Sequence, residues 1–241
     1  MKFGVNVMCT DETIQPPELA VIAEGLGFES VFFPEHTHVP VNRQVWTRGD
    51  GLPPAFHRTL DPMTCLTTAA MATTTIRLGT AVCLVAQHDP IVLAKQLATI
   101  DRASGGRILF GVGAGSNREE AANHGIDPRQ RYHVMDEKVQ AIKALWTQDE
   151  AEFHGQHVDF DPVYSFPKPL QNPHPPILVG GVGPSAHERV LLYGDSWFPT
   201  HKPGQDLSEL AERISARLRR GRRPRPGTRV LRWRDRRSAL V

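Results

Sequence analysis

The 241-residue sequence is short of several features that would assign it to a specialised class. No apolar run approaches the roughly 18–20 residues of a membrane span, so no membrane partner is expected. Cysteine is scarce: three residues (Cys9, Cys65 and Cys83), odd in number and without a CxxC pair. That count speaks against a disulfide framework and reads as reduced, packed thiols in a cytoplasmic protein. The start, Met1-Lys2-Phe3-Gly4-Val5, lacks the basic, apolar and small-residue succession of a secretion signal and reads straight into a strand. The chain as a whole also lacks a strong charge of one sign, since its formal net charge is +2. That average hides two unlike parts. Arg217–Val241 holds eleven arginines and one acid, Asp235, and carries +10, which leaves −8 for residues 1–216.

What is present is a repeating pattern. Short β-branched and apolar runs alternate with helical periodicity, the mark of βαβ units on a parallel sheet. Strands are expected at Lys2–Met8, Ser30–Phe33, Ile76–Val82, Arg107–Val112, Ile177–Val179 and Asp195–Phe198. Helix starts are expected where a capping carboxylate precedes proline, at Asp61-Pro62, Asp89-Pro90 and Asp127-Pro128, and at Gly183-Pro184 with a weaker cap. The first helix, Pro17–Leu26, is expected to bury Leu19, Ile22 and Ala23. Leu93, Ala94, Leu97, Ala98 and Ile100 form one stripe, and Met135, Val139, Ile142 and Leu145 another. Two long connections break the rhythm. Glu35–Leu60 reads as a functional loop that helps shape a substrate pocket, and residues 152–160 within Ala151–Pro176 read as a small hairpin.

The length suits one α/β barrel of about 250 residues. Residues 1–216 are therefore read as the barrel domain. Residues 217–241 are read as an arginine-rich tail, disordered or frameshifted, with Val230-Leu231 at best a poor strand seven. The fold expected is a TIM (β/α)8-type barrel, incomplete at its C-terminal end. No specific nucleic-acid partner is expected, because the basic charge resides in the tail alone.

Active sites of such barrels lie at the C-terminal strand ends. After strand two comes Pro34-Glu35-His36-Thr37-His38, which offers a carboxylate and imidazoles suited to proton transfer. His36-x-His38 also has metal-site spacing, but the ends of strands four and five supply no further ligand, so no metal is expected. After strand three comes Thr80-Ala81-Val82-Cys83-Leu84-Val85, a smooth wall or plain core. After strand four comes Gly111-Val112-Gly113-Ala114-Gly115-Ser116, which lets a ligand approach the backbone. After strand five, Gly180-Gly181-Val182-Gly183 precedes a helix start, an anion-receptive arrangement.

These segments together resemble the luciferase-like monooxygenase superfamily, most closely its F420-dependent oxidoreductases. The resemblance rests on Gly25-Leu26-Gly27-Phe28, Pro34-Glu35-His36, Arg77-Leu78-Gly79-Thr80, Asp89-Pro90 with its helix, Ser104-Gly105-Gly106-Arg107, Gly111–Gly115, Phe166-Pro167-Lys168-Pro169 and Pro176–Gly181. It implies a homodimeric barrel enzyme that moves a hydride between F420, or alternatively FMN, and a small organic substrate. It places Glu35 and His36 as catalytic residues, with His36 the acid–base. It places Ala81 and Val82 at a bulge, often a non-prolyl cis peptide, that supports the ring. Ala114, Gly115 and Ser116 would line the cofactor, and Gly180, Gly181 and Gly183 would face its phosphate. The chain departs from the family pattern at Ser116, Val182 and Ser196, and the tail does not resemble strands seven and eight. A catalytically inactive or truncated cofactor-binding homologue is the alternative.

Overall fold

The computed structural model describes residues 2–41 and 53–200, together with positions 208, 212, 215 and 216. Trp46 in the long loop and the whole of 217–241, including Val230-Leu231, lie outside the described residues. The chain divides into two compact units, Met1–Pro175 and Pro176–Val241.

In the first unit, β1 (Gly4–Asn6), β2 (Ser30–Phe33), β3 (Arg77–Thr80) and β5 (Ile108–Gly113) lie side by side in that order, every pair parallel. All four residues of β2 are buried, as expected of a strand covered on both faces. The third strand does not run unbroken from Ile76 to Val82 as the apolar pattern suggests. It stops at Thr80, turns at a cis Ala81–Val82 peptide, and resumes as β4 (Cys83–Leu84), which pairs with β5 further along.

Helices α1 (Pro16–Gly25), α2 (Pro62–Ala72), α3 (Pro90–Ala103), α4 (Arg118–Asn123) and α5 (Arg131–Thr147) connect the strands. Two proline starts form as expected: Asp61 caps α2 by accepting from the Thr64 amide, and Asp89 caps α3 by accepting from the Val92 amide. Asp127-Pro128 does not start a helix. The Asp127 carboxylate accepts from the Arg129 amide two residues on, and the chain turns once more before α5 begins. A short polar side chain this close to its own backbone favours the turn over the cap. The buried face of α1 also differs from expectation. Ala20 and Ala23 are buried while Ile22 is 46% exposed, because two small residues let α1 approach α2 closely. The stripes of α3 and α5 are buried as the periodicity requires. The hairpin forms between β6 (Glu150–His154) and β7 (Asp159–Tyr164). Glu137 of α5 holds its turn by accepting from the amides of Gln156, His157 and Val158.

In the second unit, β8 (Ile177–Gly180) runs parallel to β9 (Ser196–Phe198), and α6 (Pro184–Leu192) joins them. The strand–helix alternation and the parallel pairing are those of an incomplete TIM-type (β/α) barrel. Strands seven and eight have no counterpart among the described residues. No described helix is long and apolar enough to cross a membrane.

Candidate active site

Glu35 and His36 leave the end of β2 in different directions. Glu35 is buried, and both of its oxygens are engaged: Oε2 accepts from the Leu84 amide at 2.6 Å, and Oε1 lies 2.6 Å from His88 Nε2. The carboxylate therefore ties the end of β2 to the segment that follows the cis peptide. Cys83 completes a trio whose ligand-type atoms lie within 4.8 Å of one another. Burial first, and Glu35 second, push the Cys83 thiol well above its ordinary pKa. A thiol held protonated can donate to the Glu35 carboxylate. Burial disfavours charge on His88, but its bond to Glu35 outweighs burial and raises the imidazole above its ordinary pKa. The Glu35–His88 pair is thus an ionic strut.

His36 points elsewhere. Its Nδ1 lies 2.9 Å from Oε2 of Glu120, whose side chain is only 1% exposed, and its ring stands 5.1 Å from that of Phe56. Glu120 Oε1 accepts from the Thr37 amide at 3.1 Å. Around this pair, the Thr37 hydroxyl contacts His38 and His124, and Asn123 reaches His38 Nε2 at 2.9 Å. Burial, and then the neighbouring His38, lower the pKa of His124. The short helix α4 is thereby fastened to the segment after β2.

The predicted wall divides in two. Cys83, Leu84 and Val85 are core, whereas Ala81 and Val82 are half-buried. Val82 sits against Gly113, where an added Cβ would lie 2.3 Å from Val82 Cγ2, so only glycine allows this approach. Ala114 is buried, Gly115 has φ of 74°, and Ser116 is exposed. Gln87 lies beside Gly115, and both polar atoms of its amide are buried with no hydrogen-bond partner among the described residues. Asn6 Oδ1, at the end of β1, is likewise buried and unpartnered. Buried polar groups without partners are uncommon and call for a ligand or water. Gln87 also lines a cavity of about 420 Å³, together with His88, His124, Lys138 and His157 among others.

In the second unit Gly181 has φ of 104° and its carbonyl accepts from Trp197 Nε1 at 2.7 Å. Gly183 is the N-cap of α6 and brings no capping side chain to the first turn, which leaves that turn open to an anion.

The first unit thus gathers Glu35, His36, Ala81, Val82, Ala114 and Gly115 at its strand ends. Sequence reasoning missed Glu120, His88, Gln87 and Asn6, while Phe56 belongs to the loop expected to shape the pocket. Glu120 carried one signal, the Asn117-x-x-Glu120 spacing of a capping box. Half of that box forms, since Asn117 accepts from the Glu120 amide at 3.1 Å, but the carboxylate serves His36 and Thr37.

Parallel strands alternating with helices, with imidazole–carboxylate pairs just past the strand ends, define an α/β protein of the barrel class. The chain belongs to the luciferase-like monooxygenase family, whose sequence profile matches residues 13–232. An uncharacterized protein of Mycobacterium tuberculosis is 43% identical over 205 residues, which cover 83% of this chain and 72% of that one. The FMNH2-dependent dimethylsulfone monooxygenase of Pseudomonas putida is 35% identical over 132 residues, or 54% of this chain and 36% of that one. The coenzyme F420-dependent tetrahydromethanopterin reductase of Methanopyrus kandleri shares the fold with a TM-score of 0.70 at 19% identity, over 91% of this chain and 61% of the reductase.

Proposed function

We propose that this chain is an oxidoreductase that uses F420, or alternatively FMN, to move a hydride to or from a small organic substrate, with His36 as the acid–base. One observation carries the reading: a half-buried imidazole at the C-terminal end of a barrel strand, anchored through one ring nitrogen by a buried carboxylate. Family membership supports the oxidoreductase class, and the names of two similar proteins bring both cofactors into play.

The residues present fit such a cofactor. The unpartnered Gln87 amide offers a donor and an acceptor together, which suits the edge of a ring carrying both. The close packing of Val82 on Gly113 and the small Ala114 and Gly115 leave a backbone that a planar ring can approach. Ala81, Val82, Ala114, Gly115 and Ser116 would hold the ring. Within the second unit, Gly180, Gly181 and Gly183 are the candidates for a phosphate. When bound, the cofactor supplies the hydride chemistry that no side chain offers. The chain's own work is to orient, to exclude water and to move one proton at His36. Glu35, with both oxygens engaged, serves that chemistry as the strut behind the wall.

The test is a fluorescence titration of the purified chain with F420 and with FMN, followed by turnover of the loaded protein and of His36→Gln. Micromolar binding of either cofactor and a turnover that collapses in the variant are expected. Binding of neither cofactor overturns the reading. Binding without turnover points instead to the inactive cofactor-binding homologue. A homodimer belongs to the same proposal, and light scattering would show twice the 26.8 kDa chain mass.

A further inference from the structure

We infer that Glu120 is the positioning residue of this site: it locks His36 in the Nδ1–H tautomer and so makes Nε2 the nitrogen that carries the proton. This rests on the reading of His36 given above.

The argument begins from the bond itself. An ionised carboxylate only accepts hydrogen bonds. Glu120 Oε2 lies 2.9 Å from His36 Nδ1, so that nitrogen must be the donor. Among the described residues no lysine or arginine pairs with Glu120, whose side-chain partner is His36. Its second oxygen is satisfied by the Thr37 amide at 3.1 Å, which fixes the carboxylate in place from a neighbouring backbone position. The Asn117 cap holds the backbone of Glu120 from below. Every part of the arrangement therefore constrains Nδ1, and among the described residues no hydrogen bond occupies Nε2. In the neutral ring Nε2 accepts, and in the cation it donates, while Nδ1 keeps its proton in both states. One proton can thus pass between Nε2 and a substrate oxygen without breaking the bond to Glu120. Phe56, whose ring lies 5.1 Å from His36, limits how the imidazole can tilt.

The experiment is ¹⁵N NMR of the full chain labelled at histidine, with His36 assigned by His36→Gln. It needs no cofactor. In the wild-type protein the neutral His36 ring is expected as a single Nδ1–H tautomer. In Glu120→Gln, which keeps the volume but exchanges a charge-assisted bond for a neutral one, the Nε2–H share is expected to rise about fivefold. Turnover of the loaded variant is expected to fall about 10–100-fold with little change in KM, since the affected group acts in proton transfer. An Nε2–H ring in the wild-type chain overturns the inference without any variant. So does a tautomer ratio that is the same in Glu120→Gln. If the tautomer responds as expected but His36→Gln keeps full turnover, positioning by Glu120 stands and the proton-carrier role of His36 falls.

Discussion

Glu35 and His36 are neighbours in the chain, and each completes a carboxylate–imidazole pair with a distant partner, yet the two pairs serve different ends. Glu35 turns inward and meets the Leu84 amide with one oxygen and His88 with the other. His36 turns toward Glu120 and, among the described residues, keeps Nε2 out of any hydrogen bond. In the first pair the carboxylate is shared between an imidazole and the main chain of the wall. In the second the carboxylate serves to orient the imidazole. The same two residue types thus meet different distant partners from adjacent positions, which is why the proposed reading makes one pair a strut and gives the other the proton carrier.

The comparison can be broken most forcefully at the strut. Glu35→Ala leaves the buried Leu84 amide and a half-buried His88 without their acceptor, and about 3–5 kcal/mol of stability should be lost. Urea unfolding measures it, and a loss below about 1 kcal/mol would mean that the cluster does not hold the wall. His36→Gln should do the reverse. It keeps a donor for Glu120 and removes the titrating nitrogen, so turnover should drop about a hundredfold or more while the unfolding midpoint hardly moves. A large stability loss with full activity would exchange the assigned roles of the two pairs.

A pH series sharpens the contrast. The folded pKa of His88 is raised, because Glu35 outweighs the burial that opposes its charge. Its stabilising share is therefore complete below the unfolded value of about 6.5 and is lost as pH rises through the raised folded value. Wild-type stability should fall over that window, and Glu35→Gln should lose most of the slope. Equal slopes in the two proteins would show that the pair is not ionic.

The smallest effect belongs to a carboxylate that has no imidazole at all. Glu24 accepts from the amides of Thr74, Thr75 and Ile76 and from the Thr75 hydroxyl. Burial alone would raise its pKa, but these bonds outweigh it and bring the value down to about 2. Its stabilising share is present above about 4.5 and is lost as pH falls toward about 2. The advantage of wild type over Glu24→Gln should therefore shrink between those values in acid unfolding, and a constant gap would refute the assignment.

Much of the fold was legible because its signals are local. Asp-Pro helix starts, the α3 and α5 stripes and the unbroken apolar run of β2 each report on a few neighbouring residues. The failures were local signals with more than one outcome. Asp127-Pro128 has the chemistry of a cap and of a turn, and the turn won. The Ile76–Val82 run reads as one strand, whereas the cis peptide divides it. In α1, the pattern pointed to Leu19, Ile22 and Ala23; Ala23 is buried as expected, but close packing on α2 selected Ala20 over Ile22 as its companion.

The sequence by itself determined the strand–helix order, the glycines that let the backbone close up at the strand ends, and the placement of Glu35 and His36 just past β2. The tertiary structure alone decided which carboxylate met which imidazole. His36 and Glu120 are 84 positions apart, and Glu35 and His88 are 53 apart. Periodicity constrains a residue's own backbone and its face. Which distant side chain arrives opposite that face depends on the parallel register of β2, β3 and β5 and on the turn at Ala81–Val82, and these are set by how the elements pack.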